Sequence, residues 1–143
     1  MLQHTALSIL EMGFGTGLNA LLTYLEAERH DLHITYTGVE AYPISLALAQ
    51  QLNYIEQLGA SPVDAAAFLQ MHAADHEHQA ISGRFSFGKA IQPFETVTAD
   101  GRYDIVYYDA FAPAVQPQLW NAEAFQRAFQ ALRPGGLLTT YCA

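Results

Sequence analysis

The chain has 143 residues, 51% of them hydrophobic, and its 14 acidic against 6 basic residues give a formal net charge of -8. This length predicts one domain, residues 1–143, and the negative charge argues against a basic surface that binds nucleic acid unaided. Cys142 is the only cysteine, and the chain shows neither a secretory signal nor an apolar run of roughly 20 residues, so we expect a cytoplasmic protein outside the membrane.

The first half of the chain alternates predicted strands and helices. Residues 8–12 form an apolar run that ends at a glycine cluster, which is typical of a buried parallel strand. Residues 18–29 carry leucines at helical spacing and predict a helix. Residues 34–40 are β-branched and aromatic, which predicts a second strand, and we expect the second helix to begin at Pro43. Residues 61–71 predict a further helix with a serine cap.

The second half continues the alternation. Residues 84–87 alternate polar and apolar side chains and indicate a third strand. Residues 103–109 form an apolar strand that ends in a carboxylate. Residues 123–132 predict a helix, and residues 134–136, Pro-Gly-Gly, predict a turn into a last strand at residues 137–141.

This order of elements predicts a doubly wound α/β fold of Rossmann type. Strands that alternate with helices imply right-handed crossovers and a mainly parallel sheet covered on both faces. Ligands bind such sheets at the carboxyl ends of central strands, where Gly13, Glu40 and Asp109 are placed. The polar stretch from residue 72 to residue 79 predicts a solvated surface with no metal site.

Three glycines separate the first strand from the first helix, at Gly13, Gly15 and Gly17. Small residues there let a ligand approach the backbone closely. The spacing is Gly-x-Gly-x-Gly, and Leu18 stands where the dinucleotide fingerprint continues, which disfavours a nicotinamide cofactor. No P-loop lysine is present, so the motif suits S-adenosylmethionine (SAM), which has no phosphate. A glycine turn that serves only strand-to-helix packing is the alternative.

Glu40 ends the second predicted strand. A carboxylate in this position can accept hydrogen bonds from both hydroxyls of a ribose, and it would repel a 2′-phosphate. Glu40 therefore suits the ribose of an adenosine. The alternative is a solvated glutamate at a strand end.

The most distinctive segment is Asp109-Ala110-Phe111-Ala112-Pro113, followed by Pro117-Gln118-Leu119-Trp120. With this segment, the chain resembles the MnmC and MnmD family of tRNA methyltransferases, whose core is that of a class I SAM-dependent methyltransferase. The glycine motif is common to many class I methyltransferases, whereas the segment after the fourth strand is particular to this family. The matching stretches are residues 9–19, 36–40, 107–113, 116–120 and 134–143.

The resemblance implies N-methylation of 5-aminomethyl-2-thiouridine at the tRNA wobble position, with SAM as methyl donor and tRNA as partner. Asp109 would hold the substrate ammonium or accept its proton. The aromatic residues Phe111, Tyr108 and Trp120 would line the base, although core packing is the commoner role of such side chains. The catalytic set is Asp109, Phe111 and Pro113. The cofactor-binding set is Glu11, Gly13, Phe14, Gly15, Thr16, Gly17, Asn19, Glu40 and Asp109.

Two departures from the family pattern affect these expectations. Lys89 stands where many relatives carry an acidic residue near adenine, which leaves the adenine contact unassigned. Family members also have segments before the first strand and after the last one, and we expect these to be needed for tRNA binding. Their absence would expose a sheet edge through which the chain can self-associate. A class I transferase acting on a small amine, and a non-catalytic fragment that binds SAM or a partner, are the alternative functions.

Overall fold

The computed structural model describes residues 6–97, 100–108 and 122–140, and strands and helices alternate along them. The strands are β1 (Ala6–Met12), β2 (His33–Val39), β3 (Gln79–Ala80), β4 (Phe85–Ala90), β5 (Tyr103–Tyr108) and β6 (Leu132–Thr140). The helices are α1 (Leu18–His30), α2 (Leu46–Ala49), α3 (Tyr54–Leu58), α4 (Pro62–Ala73) and α5 (Ala122–Ala131).

The strands form one sheet in the order β3-β4-β2-β1-β5-β6, and every pair is parallel except β3 with β4. The chain proceeds from β1 to β2 and β4 on one side, then crosses to β5 and β6 on the other. The direction of winding therefore reverses between β1 and β5. This arrangement confirms the predicted doubly wound, mainly parallel α/β fold, in which ligands bind beside such a reversal.

Alternate side chains of the strands pack into two apolar layers. On one face, Ile9 of β1 and Tyr36 of β2 lie in a cluster with α1 and α4. On the other face, Leu10 and Met12 lie in a cluster with Ala128 of α5. Because both faces of these strands are buried, their apolar residues are consecutive in the sequence and do not alternate with polar ones.

Helices pack on both faces of the sheet as predicted, with α1 and α4 on one face and α5 on the other. On the α1 side, the surface of β5 next to β1 lines an open groove with Leu7, Leu22, Ile105 and Tyr107 on its walls. Within residues 6–97, 100–108 and 122–140, α1 is the helix that borders this groove. Among the described strands, β6 lies at one edge of the sheet, and its Leu137 is exposed.

Two predicted boundaries are corrected by local hydrogen bonding. The second helix begins at Leu46 and not at Pro43, because the Ser45 hydroxyl accepts a hydrogen bond from the amide of Leu48 and forms the N-cap. The predicted Pro-Gly-Gly turn belongs to β6 as an irregularity, since Leu132 pairs with Tyr103 but Leu137 already pairs with Ile105.

Short elements were not predicted. β3 has two residues and α3 has five, too few for an apolar period to show. The serine cap of α4 is confirmed, because Ser61 and Asp64 exchange the two hydrogen bonds of a capping box. Each helix in the described ranges is too short or too polar to cross a bilayer.

Candidate cofactor-binding site

The glycine motif forms a loop between β1 and α1 with positive φ at Gly13, Gly15 and Gly17 (104°, 57° and 85°). Such φ values favour glycine, which has no Cβ to clash with the backbone. The amides of Gly13 and Phe14 both donate to the carbonyl of Val39, at 2.9 and 3.1 Å. The loop is therefore fastened to the carboxyl end of β2, and it exposes Gly15 and Thr16.

Glu40 directly contacts this loop. Its Oε1 accepts a hydrogen bond from the Gly15 amide at 2.7 Å, and its Oε2 accepts one from the Tyr42 amide at 3.1 Å. The residue is only 8% exposed, so these amides replace part of the water that a carboxylate loses on burial. The structure thus joins the two sequence motifs, 25 residues apart, at adjacent strand ends.

Glu11 and Asn19 lie at the base of the loop. Glu11 is fully buried and accepts hydrogen bonds from the Tyr36 hydroxyl at 2.7 Å and from the Asn19 amide nitrogen at 2.9 Å. A buried carboxylate needs such donors, since an unpaired one would be costly. These contacts tie β1 to β2 and to the first turn of α1.

Phe14 and Thr16 face different surroundings. The Phe14 ring is buried and packs edge-on against His72 and at a tilt against Phe87, so its side chain belongs to the core. Its backbone is the part that remains near the loop surface. Thr16 is exposed, and its hydroxyl shares a hydrogen bond of 2.8 Å with the hydroxyl of Tyr54 in α3.

The prediction of a solvated surface is wrong at His72. α4 continues to Ala73, and His72 is 6% exposed, one helical turn after buried Phe68. Its Nε2 is 2.8 Å from the carbonyl oxygen of Thr16, behind the glycine loop. The Phe68 spacing was the signal that sequence analysis missed.

Lys89, like His72, is buried although its side chain is polar. It is 3% exposed, its Nζ donates to the backbone carbonyl of His72, and it lies 5.5 Å from the centre of the Phe14 ring. Burial lowers the pKa of Lys89, and the nearby charge of Glu40 opposes that shift. The site therefore has a buried lysine, Lys89, close enough to Glu40 for their charges to interact.

The proposed catalytic residues Asp109, Phe111 and Pro113 lie outside the described residues, as does Trp120. β5 ends at Tyr108, directly before Asp109 and next to the end of β1. Tyr108 is fully buried against Phe125, and burial raises its pKa to about 12. Its ring is therefore a core side chain and does not line a base.

The described part of the site fits SAM by its donor chemistry. A Cβ added at Gly15 would meet the Gly13 carbonyl oxygen at 3.9 Å, an ordinary contact distance, and the residue is exposed, so a ligand can approach its backbone. The Glu40 carboxylate lies beside the loop, where it can accept hydrogen bonds from a ribose and would repel a phosphate. Within the described ranges, no cluster of three or more metal-ligating side chains occurs.

Comparisons with known proteins identify the family of the chain. A sequence profile of S-adenosyl-L-methionine-dependent methyltransferases matches residues 55–143. The tRNA 5-methylaminomethyl-2-thiouridine biosynthesis bifunctional protein MnmC of Chromohalobacter salexigens is 34% identical over 93% of this chain and 20% of its own length. The MnmC protein of Marinomonas is 28% identical over 99% of this chain and 22% of its own length.

Comparison of the fold with solved structures also finds an MnmC-related protein. The crystal structure of MNMC2 from Aquifex aeolicus matches with a TM-score of 0.67 at 18% identity, covering 96% of this chain and 43% of that one. The chain spans 22% of the length of the first curated relatives that it matches. It is related to the methyltransferase part of MnmC, and it belongs to the S-adenosyl-L-methionine-dependent methyltransferase family.

Proposed function

We propose that the chain binds SAM on the glycine loop, with Glu40 on the ribose, and methylates the aminomethyl group of a tRNA wobble 2-thiouridine in the cytoplasm. The contact between Glu40 and the Gly15 amide carries the cofactor half of this proposal. The contact supports the ribose assignment because it holds a carboxylate beside the exposed loop at the reversal of the sheet, where ligands of doubly wound folds bind. The names of the MnmC relatives support the substrate half.

Asp109 is the residue that we assign to the substrate amine. SAM supplies a methyl group on a sulfonium, which a nitrogen lone pair can accept while the carbon–sulfur electron pair returns to sulfur. A protonated amine has no lone pair, so a carboxylate at the end of β5 would orient the ammonium and take its proton. Holding nitrogen and methyl in line is the remaining task, and orientation of this kind lowers a barrier by several kcal/mol, on the order of 7 or more in favourable cases.

Two alternatives concern the acceptor and the activity. A small-molecule amine would need no RNA surface, and the charge of -8 is compatible with it. A fragment that only binds SAM or a partner protein would keep the loop and Glu40 and lack turnover. Assays with hypomodified tRNA, with small amines and with labelled SAM alone separate these functions.

Replacing Glu40 tests the cofactor half. We expect Glu40→Ala to weaken SAM and S-adenosylhomocysteine binding by about 10- to 100-fold, because hydrogen bonds to a charged group contribute about 1.5–3 kcal/mol. Isothermal titration calorimetry measures this change, with Glu77→Ala on the exposed surface as matched control. Unchanged affinity in folded Glu40→Ala would reject the ribose assignment. Tighter binding of NAD than of SAM would reject the cofactor.

The negative net charge of the chain leads to a prediction about its activity on tRNA. We expect the 143-residue chain to bind SAM and yet to methylate hypomodified tRNA poorly, because a charge of -8 repels the phosphate backbone. An extended version, joined at both ends to the flanking sequence of an MnmC relative, should methylate the same tRNA faster. The measurements are transfer of labelled methyl and tRNA affinity over a salt series. Efficient methylation by the short chain contradicts this prediction.

Self-association through β6 also stays a prediction. The exposed Leu137 and the edge position of β6 are compatible with it. Light scattering on the same short and extended proteins measures their mass.

A further inference from the structure

His72 is enclosed by groups that leave its ring little freedom. The rings of Phe14 and Phe68 contact it edge-on, with centroids 5.1 and 4.8 Å away. A Cβ added at Gly17 would lie 2.9 Å from His72 Nε2. The imidazole therefore fills the space directly behind the glycine loop.

The partner of His72 fixes the position of its proton. A carbonyl oxygen can only accept, so the 2.8 Å contact with Thr16 requires a hydrogen on Nε2 of His72. Thr16 is an exposed residue of the loop, between exposed Gly15 and buried Gly17. The hydrogen bond sets the direction of the Thr16 peptide group and, through it, the orientation of the neighbouring loop amides.

Lys89 holds the other side of the same residue. Its Nζ donates to the carbonyl of His72, in the last turn of α4, where helix carbonyls lack helical partners. A cation in this position also interacts favourably with the negative end of the helix dipole. The chain of contacts runs from Lys89 in β4 through His72 in α4 to Thr16 in the loop.

We infer that His72 is a positioning residue for SAM binding, which holds the glycine loop in its ligand-accepting conformation by donating Nε2–H to the carbonyl of Thr16. This role rests on the proposed binding of SAM at the loop. It goes beyond the glycines and Glu40, since His72 acts from inside the core and does not touch the ligand. Lys89 supports it by fixing the end of α4.

Three variants test the hydrogen bond apart from the packing. His72→Phe keeps an aromatic ring between Phe14 and Phe68 and removes the donor, and we expect SAM to bind roughly three- to tenfold more weakly. His72→Gln places an amide N–H near the position of Nε2, and we expect affinity within about twofold of wild type. His30→Gln, on the exposed last turn of α1, is the control and should change nothing.

For wild type and the three variants, SAM affinity is measured by calorimetry and stability by denaturant unfolding. If folded His72→Phe binds SAM with wild-type affinity, the inference is overturned. It is also overturned if His72→Gln binds SAM as weakly as His72→Phe does. If His72→Phe does not fold, the smaller His72→Leu gives the same comparison with His72→Gln. Absence of SAM binding by the wild-type chain would instead overturn the proposed function.

The pH profile adds a second measurement. Burial lowers the pKa of His72, with Lys89 acting in the same direction and the Thr16 carbonyl opposing it. Among the described residues, the charge of Glu40 acts on Lys89, the ring of Tyr54 contacts Phe68, and the carbonyl of Asp75 accepts a hydrogen bond from the Lys89 amide. As pH falls through the usual histidine range near 6.5, the unfolded state takes up a proton that folded His72 does not, and stability is lost. We expect His72→Gln to show less of this acid loss than wild type, and an identical loss would contradict the assigned surroundings.

Discussion

Gly17→Ala should abolish measurable SAM binding and destabilise the fold by about 2–5 kcal/mol, the sum of about 1–2 for a side chain in left-handed backbone and about 1–3 for overpacking. Gly17 has φ of 85°, and an added Cβ would lie 2.9 Å from His72 Nε2 and from Phe14 Cζ. Neither ring can move freely, because both are buried. A loss of this size is a large part of the stability of an ordinary domain.

Two other glycines separate the causes of this loss. Gly59 has φ of 63° with nothing within 4 Å of an added Cβ, so Gly59→Ala should show the backbone cost alone. Gly83 has open space and no positive φ, so Gly83→Ala should be near neutral. Urea unfolding and SAM titration of the three variants are the measurements. A Gly17→Ala protein as stable as Gly59→Ala would show that the contact with His72 does not constrain the loop.

The parallel strands and the long helices could be predicted from the sequence because their signals are local. Residues 8–12 and 103–109 are mainly apolar runs, and the structure confirms the described parts of β1 and β5 within two residues of those bounds. α4 was predicted through its serine cap and proline. The contact between Gly15 and Glu40 could also be predicted, because parallel strands bring their carboxyl ends to one edge of the sheet.

The core contacts behind the loop could not be predicted in the same way. Lysine is almost never fully buried, so composition places Lys89 on the surface. It is buried because β4 lies between β2 and β3, and the Lys89 amide also bonds to the carbonyl of Asp75. His72 begins a polar run whose residues 75–80 are exposed, and its place one turn after Phe68 indicated the core. Tertiary contacts, and not local pattern, decide both positions.

The largest kinetic effect is expected at Asp109, the proposed catalytic residue. Asp109→Asn in the extended version should lower methyl transfer to tRNA by about 10²- to 10⁴-fold, the usual contribution of a positioned general base. SAM affinity should change much less, by about threefold at most, because the substrate amine is the main partner proposed for Asp109, although the residue also belongs to the predicted cofactor-binding set. Asparagine keeps the size of the side chain and removes both its charge and its ability to take a proton.

Single-turnover methylation and calorimetry on the same preparations separate the two halves of this expectation. Asp100→Asn, at an exposed ion pair with Arg102, is the matched control and should leave both values unchanged. Equal losses of rate and SAM affinity in Asp109→Asn would assign the residue to the cofactor. Unaltered turnover would remove it from the reaction. If Asp109 takes the proton, raising the pH should recover part of the lost rate, because more of the amine then arrives already deprotonated and needs no base.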